Sequence, residues 1–206
     1  MSSPGRNRFD AKYYRTFYGS NPVHTPEQVA DLASAVIGMA KWWRIDVSSI
    51  LDVGAGPGYW RDWFSAHRPE IRYQSVDVSA HACRKFGHEQ RDISKWSPET
   101  PADLVICQGV LHYLSNDAAS LAIANLITST DSLMYLEVPV QEDLDSIIDC
   151  SVSDLDAHWR PANWYRTRLL KGFDQAGAGL WVRHGAVRLY HLEGLATNRA
   201  RSSLRA

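Results

Sequence analysis

Three features of this chain combine residue types and spacings that suit ligand chemistry. The loop Gly54-Ala55-Gly56-Pro57-Gly58 directly follows the apolar run Ile50-Leu51-Asp52-Val53. Glycines are needed where a backbone turns sharply and admits a ligand closer than a Cβ would permit, and the end of a first strand is where open α/β sheets bind ligands. Asp77 ends a second strand-like run about 20 residues further on, where a carboxylate can accept hydrogen bonds from both hydroxyls of an adenosine ribose. Asp92 follows Arg91 and could accept from an adenine amino group while the Ile93 amide meets a ring nitrogen. Tyr59 stands where a dinucleotide loop carries its third glycine, leaving Gly-x-Gly-x-Gly. A pyrophosphate wants an unobstructed helix N-terminus, so this loop suits a phosphate-free adenosine better. Singly, each feature also reads as a tight turn or, for Asp77, a helix cap; together they fall where one adenosine would bridge them.

The elements that must position these residues alternate. Thr25-Pro26-Glu27-Gln28 carries an N-cap hydroxyl, a proline at the first helical position and a capping-box glutamine. It precedes a stripe of Val29, Leu32, Ala33, Val36, Ile37 and Ala40. A strand to Val53, a helix from Tyr59 to His67, strands at Arg72 to Val76 and Ala102 to Cys107, a helix from Asn116 to Thr128 and a strand from Leu133 to Val138 follow. This order specifies a single α/β domain with a doubly wound, mostly parallel sheet and helices on both faces. A last helix is expected from Asn163 to Gln175. Two closing strands, Leu180 to Val182 and Val187 to Leu192, would then form an antiparallel hairpin around His184-Gly185. The organisation reads as an N-terminal lid and helix over 1–45, the ligand-binding domain over 46–195 with an insertion at about 140–162, and a basic tail over 196–206.

Composition narrows the partners. With 206 residues, 45% apolar content and a formal net charge of −1, the chain can bury one sizeable core and lacks the broad basic face of a nucleic-acid binder. Arg6, Arg8 and Arg15 at one end and Arg199, Arg201 and Arg205 at the other read as solvated tails. Cys83, Cys107 and Cys150 are odd in number and form no Cys-x-x-Cys pair, so no metal site is expected and a reducing cytoplasm fits. No run reaches membrane-spanning length.

From Ser49 to Pro139 the chain resembles the class I S-adenosylmethionine-dependent methyltransferases. Ile50 to Gly58 looks like the first motif of that family, Ser75-Val76-Asp77-Val78-Ser79 the acidic second, Arg91-Asp92-Ile93 the third, and Asp103 to Leu114, with Gln108-Gly109-Val110-Leu111-His112, the fourth. The resemblance implies a seven-stranded sheet with one antiparallel strand near the C-terminus, and S-adenosylmethionine as cofactor with S-adenosylhomocysteine as product. It implies that Asp77 holds the ribose, Asp92 and Ile93 the adenine, and the Gly54 and Gln108 neighbourhoods the methionine part. Asp52, Ala55, Gly56, Gly58, Val78 and Gly109 complete the expected cofactor set.

Methyl transfer is an in-line displacement in which alignment is the main requirement, and a base helps only when the acceptor carries a proton that must leave. His112, shortly after the fourth strand, is the candidate base, with packing beside the cofactor as the other reading. Cys107 reads as a packing residue, and Trp42 and Trp43 likewise. Tyr13, Tyr14 and Tyr18 of the lid, Glu137 at the end of the fifth strand, and Trp159, Arg160 and Tyr165 of the insertion are candidate acceptor contacts, an aromatic box with arginines suiting a planar or anionic small molecule. Other readings stay open: a nicotinamide oxidoreductase, which lacks a Tyr-x-x-x-Lys pair here, a non-catalytic cofactor-binding regulator, or transfer to a protein acceptor. Asn-Pro-Pro-Tyr-like residues of base-amine methylases are absent after the fourth strand.

Overall fold

Alternating side chains set the architecture. In a computed structural model, which describes residues 8–195, strands β1 (Ser49–Val53), β2 (Arg72–Asp77), β3 (Glu89–Gln90), β4 (Ala102–Gln108), β5 (Thr130–Glu137), β6 (Phe173–Gly177) and β7 (Leu180–Arg183) form one sheet in the order β3-β2-β1-β4-β5-β7-β6. The first five are mutually parallel, whereas β7 runs antiparallel to both β5 and β6. Ile50, Leu104, Ile106 and Leu133 point to one face, where they meet helices α2 (Pro26–Trp42) and α3 (Tyr59–His67) through Val29, Ala33, Val36 and Phe64. Their strand neighbours Leu51, Val53, Val105, Cys107 and Met134 point to the other and meet α5 (Asn116–Ser129) and α6 (Ala162–Leu169) through Ile123, Leu126 and Leu169. Period-two alternation in strands that are buried throughout explains why these runs read as continuously apolar.

Two short helices complete the set: α1 (Ala11–Phe17), capped by the Asp10 carboxylate on the Lys12 and Tyr13 amides, and α4 (Ala80–Phe86), capped by Ser79 on the Ala82 amide. The capping box before α2 forms as expected, with Thr25 and Gln28 satisfying each other's backbone donors. Strand order reverses between β1 and β4, each leaving β1's neighbourhood in an opposite direction, and that point opens a crevice at the strands' carboxyl ends.

The C-terminal part departs from the sequence expectation. The last helix ends at Leu169 rather than Gln175, and β6 begins at the fully buried Phe173. A Cβ on Gly172 would stand 2.6 Å from both Ile127 Cγ2 and Arg183 Nη1, so the chain passes there too tightly for a further helical turn of ordinary side chains. The hairpin therefore turns at Ala178-Gly179 instead of His184-Gly185, and Val187 to Leu192 forms no strand. Tyr190 and Leu192 are largely or wholly solvated. Trp43 is buried, but Trp42 is 65% exposed and only its indole N–H is engaged, on Glu193. The expected tail 196–206, with Arg199, Arg201 and Arg205, and Arg6 lie outside the described residues.

Candidate active site at the strand carboxyl ends

The loop after β1 is anchored before it reaches any ligand. The Gly54 and Ala55 amides donate to the Val76 carbonyl at 2.8 and 3.1 Å. Gly54, Gly56 and Gly58 all hold positive φ, at 72°, 56° and 87°, a region that costs an L-residue strain. A Cβ on Gly54 would also overlap Val110 Cγ2, so this turn demands glycine twice over. The loop opens on a cavity of about 780 Å³ lined by Asp52, Gly54, Ala55 and Gly56, by Gln108 and Gly109 after β4, and by Glu137, Val138 and Pro139 after β5. A cavity of that size accommodates an ordinary small-molecule ligand.

A hydrogen-bonded chain fixes its polar floor. Trp60 of α3 can only donate, so its indole N–H on Gln108 Oε1 at 2.7 Å turns the Gln108 amide nitrogen toward Glu137 Oε2 at 3.1 Å. Tyr135 donates to the same Oε2 at 3.2 Å, and His24 Nε2 meets the other oxygen at 2.9 Å. Burial alone would raise the Glu137 carboxyl, but the hydrogen bond and charge of His24, with the bonds from Gln108 and Tyr135, hold it below the ordinary range. Glu137 reciprocally raises His24, against a smaller opposing effect of burial. Beneath the glycine loop Asp52 is buried and accepts from Tyr73 Oη at 2.8 Å; burial pushes its carboxyl up to about 7 despite that bond.

The opposite end of the cleft is closed. Asp77 Oδ2 accepts from the Gly56 amide at 3.0 Å and Oδ1 from Ser79 at 2.7 Å. Helix α1 lies over it: Tyr14 is hydrogen-bonded to Ser79, packs on His81 and Phe86, and stacks on Tyr18 with centroids 5.2 Å apart, while Tyr18 Oη comes within 3.7 Å of where a Gly56 Cβ would be. Burial raises the Asp77 carboxyl, opposed by its amide donors.

The expected site residues divide accordingly. Asp52, Gly54, Ala55, Gly56, Gln108, Gly109, His112, Tyr13, Tyr18, Glu137 and Trp159 line the cavity. Gly58, Asp77, Val78, Asp92, Ile93 and Tyr14 do not; Asp92 is occupied by the Ser94 amide and hydroxyl and by Lys95. Arg160 and Tyr165, expected at the acceptor, are turned into the core. The Arg160 guanidinium donates to the Leu111 and Leu114 carbonyls, to Asn116 Oδ1 at 2.8 Å and to Tyr165 Oη at 2.8 Å, and lies 4.7 Å over the Trp164 ring. It ties the segment after β4 to α6. The ring of His112 is 5% exposed, its Nδ1 has no partner, and burial lowers it to about 4. Sequence reading missed His24 and the apolar mouth residues Ile147, Ile148 and Val152, which line the same cavity. His24 is a single residue just ahead of the Thr25 cap, and nothing in the spacing links it to Glu137, 113 positions away.

Comparison with known proteins defines the class. Residues 26–196 match the family described as "Methyltransferase domain", and the chain belongs to it, among the class I S-adenosylmethionine-dependent methyltransferases. It is 24% identical over 137 residues to trans-aconitate 2-methyltransferase of Pseudomonas paraeruginosa (strain DSM 24068 / PA7), covering 63% of this chain and 43% of that protein. The chain thus spans less than half the length of that curated relative. Its fold is shared by magnesium protoporphyrin IX methyltransferase from Synechocystis PCC 6803 with bound SAM, at a TM-score of 0.55, 18% identity and coverage of 86% and 94% of the two chains. N-methyltransferase NodS from Bradyrhizobium japonicum WM9, in complex with S-adenosyl-l-homocysteine, gives 0.54, 15%, 84% and 96%.

Proposed function

We propose that this chain transfers a methyl group from S-adenosylmethionine to a small-molecule acceptor by in-line displacement, on a doubly wound sheet whose switch point holds the reacting groups. The observation that carries this reading is the convergence of Gly54–Gly56, Gln108–Gly109 and Glu137, from three different strand ends, on one cavity. The residues present fit such a cofactor. Gly54 and Gly56 keep their positive-φ surface clear of any Cβ, and Asp52 supplies a carboxyl toward a cationic amino-acid group. S-adenosylmethionine supplies an electrophilic methyl on a sulfonium that leaves as a neutral thioether.

In this reading Gly54, Ala55, Gly56, Gln108 and Gly109 hold the methionine part, with Gly58 opening α3 and Asp52 beneath. Asp77 and Val78 take the ribose and Asp92 and Ile93 the adenine. Helix α1 is a lid: Asp77 receives a ribose only when Tyr14 and Tyr18 lift away from it. Tyr13, Tyr18, Glu137 and Trp159 face the acceptor, for which trans-aconitate, named in the curated relative, is the first compound to assay. The three cysteines are all free, which suits work in a reducing cytoplasm. Isothermal titration tests the reading directly. S-adenosylhomocysteine should bind and NADH should not, and the reverse pattern would refute it.

A further inference from the structure

The sign of the cavity wall narrows the acceptor, given the methyltransferase reading above. Five carboxylates line it, Asp52, Glu137, Asp143, Asp149 and Asp154, and among the described residues no lysine or arginine does. Arg160 and Arg8, which neighbour lining residues, are committed elsewhere. Arg160 is buried on carbonyls, and Arg8 is paired with Asp154 at 2.7 Å and with Asp156 at 3.2 Å. Asp154 is therefore neutralised, whereas Asp143 and Asp149 form no ion pair among the described residues. Each spends one oxygen locally, Asp143 on the Val140 amide and Asp149 on Ser151.

Two further observations point to a ligand. His112, 95% buried by its 5% exposure, lines the cavity with an unpartnered ring nitrogen; an uncharged ring there lacks a hydrogen-bond partner that an incoming N–H would supply. Around the carboxylates the mouth is apolar, with Val23, Ile147, Ile148 and Val152, and Ile147 is 79% exposed. An anionic acceptor entering this space meets the unpaired Asp143 and Asp149, like charges that disfavour it. A cation with an apolar body meets complementary groups at both of its ends.

We propose that the methyl acceptor is an amine on an apolar body, drawn in as its ammonium by the wall carboxylates and deprotonated by His24, which Glu137 orients. Glu137 is ionised and can only accept, so His24 Nε2 carries the hydrogen that faces it and Nδ1 is left free to take a proton. The ammonium gives one proton to His24, whose imidazolium Glu137 stabilises. The freed nitrogen lone pair then forms the bond to the methyl carbon as the carbon–sulfur bond breaks. The electron pair of that bond stays on sulfur, giving the neutral thioether, and the product is the methylated ammonium.

The test uses the full chain saturated with S-adenosylhomocysteine, whose own titration is run first. Phenethylammonium and its anionic counterpart phenylpropionate are then titrated by ligand-observed NMR. The ammonium is expected to bind at least about tenfold tighter, and Asp143→Asn with Asp149→Asn to erase most of that preference; because Asp143 is half-buried on the Val140 amide, the exposed Asp149→Asn alone is titrated beside it and should remove part of the preference. Glu137→Gln should shrink it as well. Equal affinities, tighter binding of the carboxylate, no binding of either, or methylation of trans-aconitate would overturn the amine assignment while leaving the methyltransferase reading intact. Failure of S-adenosylhomocysteine to bind would instead remove both.

Discussion

The two ends of the cleft are built in opposite ways. At the end proposed for the adenosine, Asp77 is fixed by backbone amides and roofed by Tyr14 and Tyr18. At the end proposed for the acceptor, Glu137 and His24 hold each other by side chains in an open mouth, the His24 side chain being 41% exposed. The first end is a property of the sheet, because Asp77 is the last residue of β2 and is positioned by the strand and the loop paired to it, whereas Glu137, which ends β5, depends on His24 from a distant loop. The second is a property of loops that approach one another only in the fold. In the proposed reading, a cofactor common to many reactions and an acceptor particular to one are served by these different constructions.

The largest effect expected of this contrast is on cofactor affinity. Asp77→Ala should weaken S-adenosylhomocysteine binding by about 1–3 kcal/mol, the usual penalty for an unmatched buried hydrogen-bonding site. Glu137→Gln should change it by no more than about half a kcal/mol, the range of a substitution that loses no bond to the ligand. Calorimetry on both variants measures the difference, and equal losses would erase the division into two ends. Next in size is the lid. Tyr14→Ala removes the ring that packs on His81 and Phe86 above Asp77, so the cofactor should associate about threefold to tenfold faster if closure of α1 limits entry. Stopped-flow tryptophan fluorescence reads this, and an unchanged rate would mean that α1 does not gate the site.

Asp52, beneath the glycine loop, offers a pH-dependent test. Its folded carboxyl, raised by burial to about 7, keeps a proton that the unfolded chain releases near its ordinary value of about 4. Between these values the folded state binds more protons, so this group's contribution makes stability fall as pH rises through that window. Asp52→Asn should flatten the decline. Thermal unfolding of both proteins across the window, taken as a difference, measures it; a parallel decline in the variant would show that Asp52 is not its source.

The same division governs what the sequence could disclose. The glycine loop, Asp77 and the apolar runs of β1, β4 and β5 are legible because each is local: a turn needs glycine, and a strand buried on both faces needs an apolar run. The aromatic stretch His158 to Arg166 misleads for the complementary reason. Arg160 and Tyr165 carry functional groups that suit a ligand, yet they satisfy each other and the carbonyls of Leu111 and Leu114, and only the packing of α6 on α5 decides this. Val187 to Leu192 has strand composition but forms no ladder on the β6 edge; among the described residues only Leu195 beyond it bonds to that edge, at Gln175. His24 has no periodic signal at all, since its partner comes from β5.

The smallest expected effect bears on the acceptor end, through the His24–Glu137 pair. His24 is raised in the fold by Glu137, so its stabilising contribution is full below its unfolded value of about 6.5 and disappears as pH rises through the higher folded value. Glu137 is lowered, so its contribution is present above its unfolded value of about 4.3 and is lost as pH falls through the lower folded one. The pair is therefore strongest between those two unfolded values, at mildly acidic pH. His24→Gln should lower the melting temperature most near pH 5.5, by about one or two degrees as for a solvent-screened pair, and least near pH 9, where His24 in the parent protein is already neutral. The partial exposure of both side chains keeps the effect small, and salt should shrink it further. A decrement independent of pH would mean that the histidine contributes packing rather than charge, and the acceptor end would then be held, like the adenosine end, by its backbone alone.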